Sequence, residues 1–227
     1  MMKTQQELKS VVAQAAVDSI RPLLTQSSVI GIGTGSTVNF FIEHLQQTSL
    51  PFKGTVSSSI SSTELLERAG LPVIETKCVE DVDVYVDGAD EVDPNFALIK
   101  GGGGALTQEK IVASMATKFV CIVDNSKLVN ILGSFPLPIE VIPSALGIVS
   151  KTLRIFGGVP SVRPGHTENG NLIIDVSGLT IENPDALERT LNDVPGVVTV
   201  GLFALQRPQL VLVAGQHGTI DVLTRDN

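Results

Sequence analysis

Leu8, Val11, Val12, Ala15, Ala16, Ile20, Leu23 and Leu24 recur at helical intervals, so the chain is expected to open with an amphipathic helix that buries one face. Pro22 marks its frayed end. Residues 29–32 then read as a short buried strand, and the glycine-bearing turn 33–35 delivers the chain into a helix starting near Ser36 or Thr37. A second unit repeats the arrangement, with a strand near 55–57, a serine-rich loop and a helix whose start carries Ser61 and Glu64 at capping-box spacing. Gly70 suits that helix's C-terminal cap. Residues 73–75 and 82–86 look like further buried strands, the second running straight into an acidic turn over 87–91. A helix over 107–117 and a strand over 119–123 complete this half, and the alternation implies a Rossmann-like α/β domain around a mainly parallel sheet.

From Pro136 the rhythm changes. A strand near 138–142, a helix near 145–156, strands near 159–163 and 171–175, a second helix and a strand over 197–203 follow the split βαβ, ferredoxin-like order of a small α+β domain. Asn183 and Pro184 fit the N-cap and first position of that second helix. The last apolar segments, 210–213 and 220–223, are expected to return to the first domain as a hairpin. The predicted division is therefore an α/β domain of residues 1–133 plus 205–227 and a smaller domain of 134–204.

Composition narrows the functional classes. With 43% hydrophobic and 18% charged residues among 227, the chain has the balance of an ordinary soluble α/β protein. A net charge of -8 without a basic run argues against a nucleic-acid partner. No stretch approaches the roughly 18 consecutive apolar residues of a membrane span, and Lys3, Glu7, Lys9 and Asp18 interrupt what a signal peptide would need as an apolar core. A cytoplasmic protein is expected. Cys78 and Cys121 lack metal-type spacing and are expected to be buried free thiols, with a disulfide the lesser alternative.

Candidate chemistry collects where strands end. The segment Gly33-Thr34-Gly35-Ser36-Thr37 joins a strand to a helix, so its amides and hydroxyls can converge on an anion at the positive end of the helix dipole. No Lys-Ser or Lys-Thr follows to make a phosphate loop of the nucleotide-hydrolase kind, and Ser36 stands where a dinucleotide fingerprint needs its third glycine. A plain tight turn remains the alternative. Asp87, Asp90 and Glu91 lie just past a buried strand, where an open sheet places its ligand crevice; a surface turn or a divalent-metal site would use the same residues. Lys100, which would compete with a cation for those oxygens, lowers the metal reading. Gly101, Gly102, Gly103 and Gly104 in succession cost backbone entropy, which is better explained by close approach of a ligand than by packing. They feed a helix whose first turn holds Glu109, a carboxylate able to abstract a proton from carbon or merely to complement the helix dipole. Glu140, Arg163, His44, His166 and His217 read as framework or surface residues.

Taken in order, GIGTGST, SSSISST, DGADEVD, KGGGGALTQEK and DNSK closely resemble the type A ribose-5-phosphate isomerase family, and the similarity continues through FPLPIEVIP and PGVVTVGLF. One departure is Gln108, where relatives often carry arginine. The resemblance implies an aldose–ketose isomerase of the pentose phosphate pathway that interconverts ribose 5-phosphate and ribulose 5-phosphate through a cis-enediolate, with no metal and no other cofactor. It implies that Glu109 moves the proton while Asp87, Asp90 and Lys100 orient oxygens, assist ring opening and stabilise charge, and that the amides of Gly101 to Gly104 form an oxyanion site. Ser36, Thr37, Lys127 and Lys9 would bind the phosphate; Thr34, Gly35, Ser58 and Ser59 would line the pocket. A homo-oligomer, dimer or tetramer, is implied as well. Two other classes fit some of the same residues: a non-catalytic sugar-phosphate sensor, and an acyl or CoA transferase with Glu109 as nucleophile.

Overall fold

The computed structural model describes residues 3–225. In chain order its elements are α1 (Gln5–Ile20), β1 (Val29–Ile32), α2 (Ser36–Gln46), β2 (Gly54–Ser57), α3 (Ile60–Arg68), β3 (Val82–Asp87), β4 (Glu91–Val92), β5 (Leu98–Ile99), α4 (Leu106–Met115) and β6 (Ala116–Asp124). There follow β7 (Leu137–Val141), α5 (Leu146–Ile155), β8 (Val159–Val162), β9 (Leu172–Ser177), α6 (Pro184–Asn192), β10 (Val197–Val200), β11 (Leu202–Phe203), β12 (Leu210–Ala214) and β13 (Ile220–Thr224). The chain divides into two compact units, one of residues up to Gly88, Ile111–Lys127 and everything from Pro208 on, the other of Ala89–Lys110 and Leu128–Arg207.

The first unit is built on a six-stranded sheet in the order β13-β12-β6-β3-β1-β2. Every neighbouring pair is parallel except the terminal hairpin β12–β13. Helix α1 starts from a capping box: the Glu7 amide donates to Thr4 Oγ1 at 3.3 Å and the Thr4 amide donates back to Glu7 Oε2 at 2.7 Å. It then buries Leu8, Val12, Ala13, Ala16, Val17 and Ile20 in a core shared with β1, β3, β6 and β12. Leu23 of the predicted periodic set lies past the helix end in a short 3-10 turn and is exposed.

The second unit carries the sequence order β7-α5-β8-β9-α6-β10, and its four strands pair antiparallel as β10-β7-β9-β8, which is the ferredoxin-like arrangement. Asn183 caps α6 by accepting from the Ala186 amide at 3.1 Å, with Pro184 at the first helical position as expected. A small sheet, β11-β5-β4, completes the unit.

Four local expectations change. The cap of α3 is Ser59, which accepts from the Ser62 amide, rather than Ser61; the serine-rich loop offered several equivalent oxygens, and the cap lies two residues earlier than the Ser61–Glu64 spacing implied. Gly70 does close the same helix, at φ 70°, with its amide on the Glu67 carbonyl and the Leu71 amide on that of Leu66. Residues 73–75 form no strand: Val73 makes a single bridge to Thr55, because Pro72 brings no donor and Thr76–Cys78 turns into a 3-10 helix. The apolar run 197–203 is two strands in two sheets. Gly201 divides it by donating to the Pro138 carbonyl at 2.7 Å and accepting from the Lys100 amide at 2.9 Å, so close to both that an added Cβ would lie 2.5 Å from the Lys100 carbonyl oxygen. Finally, both cysteines are free, but only Cys121 is buried; Cys78 sits in the 3-10 turn and is exposed. Among the described residues no helix is long and apolar enough to cross a membrane.

Candidate active site

Within the first unit the parallel sheet brings four loops to one edge. Because β1, β2, β3 and β6 run in the same direction, the segments that leave their C-terminal ends all emerge together, where open α/β sheets bind ligands. Those segments are the glycine turn after β1, Ser58 and Ser59 after β2, Asp87 at the end of β3 and Lys127 after β6. Gly33 is pinned by donating to the Val86 carbonyl at 2.9 Å and accepting from Ser62 Oγ at 2.7 Å. A side chain there is excluded, since a Cβ would fall 2.0 Å from the Asp87 carboxyl carbon. Gly35, at φ 124°, then turns the chain into α2, whose first turn carries no acidic side chain to offset its positive end. Ser36 is exposed and Thr37 half-buried at that end.

Asp87 is fully buried and held on both oxygens. Oδ1 accepts from the Thr34 amide at 3.1 Å and the Gly88 amide at 2.7 Å, and Oδ2 accepts from the Tyr85 hydroxyl. Thr34 Oγ1 and Ser58 Oγ lie 2.8 Å apart and form one connected pair, whereas Ser59 Oγ is engaged with Ser61 and Ser62. Lys127 ends a 3-10 turn fixed by the Ser126 amide on Asp124 Oδ1 at 2.9 Å. Lys9 is half-buried on α1, and no hydrogen bond or ion pair ties it to this edge among the described residues.

The second unit holds the remaining candidates. Lys100 Nζ stands 3.2 Å from Glu109 Oε2, with the two side chains only 3% and 4% exposed. The ammonium also lies 5.4 Å from the centroid of the Phe203 ring, close enough for a cation–π contact. Asp90 is anchored by its amide on the Ile99 carbonyl, and its Oδ2 accepts from the Gly102 amide at 2.8 Å. Gly102 is required there, since a Cβ would come 2.7 Å from Asp90 Oδ1. Gly101 and Gly104 adopt φ 104° and 84°, closing a turn through the Gly104 amide on the Gly101 carbonyl at 2.9 Å.

Glu109 is held by its neighbours in α4. Lys110 donates to the Glu188 carboxylate and to the carbonyls of Val200 and Leu202 at 2.8 and 2.6 Å, with its Nζ 4.7 Å from the Phe203 ring centroid. Burial pulls its ammonium below the ordinary lysine value, and Glu188 opposes the shift. Thr107 donates to the fully buried Glu140 at 2.5 Å, where Thr167, Asn169 and Asn171 also donate, at 2.9, 3.0 and 2.8 Å. Gln108 reaches Asn169 Oδ1 at 2.9 Å. The first turn of α4 is thereby fastened on both sides of Glu109. Tyr85, Thr107, Lys110 and the Glu140 cluster did not stand out as site-supporting residues. Only Tyr85 had a readable signal, being two positions before Asp87 and hence on the same strand face.

A buried lysine–glutamate pair beside a glycine turn is chemistry suited to moving a proton. The family model for ribose 5-phosphate isomerase A (phosphoriboisomerase A) matches residues 54–218. The chain belongs to the ribose-5-phosphate isomerase A family. Ribose-5-phosphate isomerase A of Bordetella bronchiseptica is 51% identical over 218 residues, which cover 96% of each chain. The crystal structure of ribose 5 phosphate isomerase A from Neisseria gonorrhoeae matches with a TM-score of 0.94 at 45% identity, covering 100% of both chains. A D-ribose-5-phosphate isomerase in complex with phospho-erythronic acid matches with a TM-score of 0.91 at 37% identity, over 98% of this chain and 100% of that one. Among the described residues no three His, Cys, Asp or Glu side chains gather in a group fit to hold a metal ion.

Proposed function

We propose that this chain interconverts D-ribose 5-phosphate and D-ribulose 5-phosphate by carrying one proton between C1 and C2, with Glu109 as the acid–base group. Starting from the open-chain aldose, Glu109 takes the C2 proton, the electron pair left behind becomes the C1–C2 double bond of a cis-enediolate, and the former carbonyl oxygen O1 acquires the charge. The hydrogen on O2 then passes to O1, which moves the charge to O2, and the protonated Glu109 returns its proton to C1 as O2 becomes the ketone oxygen. Lys100 supplies positive charge to the oxygens in transit, and of the Gly101 to Gly104 amides those of Gly101 and Gly103 serve as donors to the enediolate, since the Gly102 and Gly104 amides already donate to Asp90 and to the Gly101 carbonyl. Asp87 and Asp90 orient hydroxyls and assist ring opening. The phosphate falls to Ser36, Thr37, Lys127 and Lys9, with Thr34, Gly35, Ser58 and Ser59 lining its surroundings.

The single observation that carries this reading is the buried Lys100–Glu109 pair at 3.2 Å, in a chain whose family acts, by its name, on ribose 5-phosphate. A carboxylate held this firmly at the start of a helix is placed to accept and return a proton without reorganising. The family context also supports a cytoplasmic location and a homo-oligomer. The exposed apolar side chains of Ile148, Ile155 and Val159 in the second unit offer a second copy something to cover.

The test is Glu109→Gln in deuterated water with a metal chelator present. Wild type is expected to exchange the C2 hydrogen of ribose 5-phosphate unimpeded by the chelator, and the variant to lose turnover by about 10³-fold, within the range of general-base catalysis, while still binding substrate. Near-normal exchange in the variant would refute the assignment. A wild-type activity that falls on chelation and returns with metal would instead restore the metal reading of the carboxylates.

A further inference from the structure

Four glycines in a row have no side chains to hold their peptides in one orientation, and an unrestrained glycine peptide turns over at little cost. If the amides of this turn are to meet a developing negative charge, something outside the turn must aim them. Arg163 makes the contacts that do so. Its Nε and Nη2 donate to Asp175 Oδ2 and Oδ1 at 2.8 and 2.5 Å, a bidentate clamp that fixes the plane of the guanidinium. The strand itself is held, with the Arg163 amide on the Ile173 carbonyl at 2.9 Å. From that fixed position Nη1 donates to two successive carbonyls of the turn, Gly101 at 3.0 Å and Gly102 at 3.2 Å.

The consequence follows from the planar trans peptide, in which the N–H points opposite to the C=O of the same unit; the described chain contains no cis peptide. With the Gly101 carbonyl turned to Arg163, the Gly102 N–H must face away from it, and it does, donating to Asp90 Oδ2 at 2.8 Å. With the Gly102 carbonyl turned to the same guanidinium, the Gly103 N–H is likewise sent away from it. A cation on the carbonyl side also polarises both peptides and makes their N–H groups better donors. Asp175 compensates most of the added charge, so what Arg163 contributes at distance is direction rather than net potential.

We propose that Arg163 is a positioning residue which fixes the glycine turn, keeping the Gly102 amide on Asp90 and aiming the Gly103 amide at the substrate oxygen that becomes negative during isomerisation. The inference rests on the reading of the glycine turn as the enediolate-stabilising element, and it gives a role in turnover to a residue that the sequence presents as framework. Lysine is no substitute, because a point charge cannot hold Asp175 bidentately and reach two carbonyls at once.

Arg163→Lys and Arg163→Ala in the full chain test it. For each, kcat is expected to fall about 10–100-fold, somewhat less than outright loss of an oxyanion donor, with KM for ribose 5-phosphate little changed. Affinity for phospho-erythronic acid, whose planar carboxylate carries negative oxygen as the enediolate does, should fall by a similar factor, while affinity for inorganic phosphate stays put. Millimolar guanidinium should restore part of the kcat of Arg163→Ala, since the site is 24% exposed and open to it. Unchanged kcat and unchanged phospho-erythronic acid affinity would overturn the proposal, as would a loss of kcat that follows loss of folded protein and resists guanidinium. If Arg163→Ala does not fold, Asp175→Asn, which keeps the guanidinium but loosens its clamp, should lower kcat in the same direction, and no effect would count against the proposal. Glu109→Gln is assayed alongside. Should that variant keep full turnover while Arg163→Lys loses phospho-erythronic acid affinity, the base assignment falls and the positioning role stands.

Discussion

Lys127 sits at the end of a turn that Asp124 braces, and its side chain is half-buried rather than free in solvent. A lysine held in that way gives up little further freedom when it meets a phosphate, so its contribution should appear in binding rather than in chemistry. Lys127→Ala is expected to raise KM for ribose 5-phosphate about tenfold, the scale of one charge-assisted hydrogen bond, with kcat changed less than twofold. Steady-state kinetics decides this, and an unaltered KM would remove Lys127 from the phosphate site. Asp87 is a different case, for the Thr34, Gly88 and Tyr85 donors already hold its two oxygens. Such a carboxylate orients what approaches it. The types and order of these residues were plain in the sequence. Of the partners that hold them, only one a few positions away, such as Tyr85, left a signal that could have been read, and Arg163, which reaches the glycine turn from about sixty residues away, left none.

At the scale of elements, local chemistry decides most boundaries. The Thr4–Glu7 box starts α1 and holds the Glu7 carboxyl below its ordinary value, chiefly through the Thr4 amide and then its hydroxyl. A depressed carboxyl contributes stability above its unfolded value and loses it as pH falls through the folded one. Glu7→Gln should therefore lower the urea midpoint at neutral pH. The gap to wild type should close in acid, below about 4.3, the ordinary glutamate value; a gap independent of pH would contradict this. Capped, periodic or uniformly apolar segments such as α1, β1, β3 and α6 were legible because each carries its own signal. The segments β4 and β5 were not, being two residues long and held as strands only by the small sheet they form with β11. The break at Gly201 was hidden for the same reason, since an apolar run does not reveal that two sheets will divide it.

At the scale of the whole molecule, a chain of net charge -8 must bind a dianion, which requires positive potential to be concentrated locally. In the proposed phosphate site, the start of α2 and the lysines Lys127 and Lys9 would supply it. The proposed homo-oligomer predicts that sedimentation at assay concentrations yields a mass at least twice that of one chain, and a single-chain mass would overturn it. The mainly parallel sheet with a ferredoxin-like companion was readable from the alternation of elements, because period and turn chemistry are local properties. So were the identities of the candidate groups and the family they resemble. The tertiary structure alone decided that Lys100 and Glu109 meet in a buried pair, that Glu140 gathers four donors around the start of α4, and that Arg163 turns two glycine peptides. Those facts depend on which distant residues are packed against each other, and a sequence carries that information only through the energy of the complete fold.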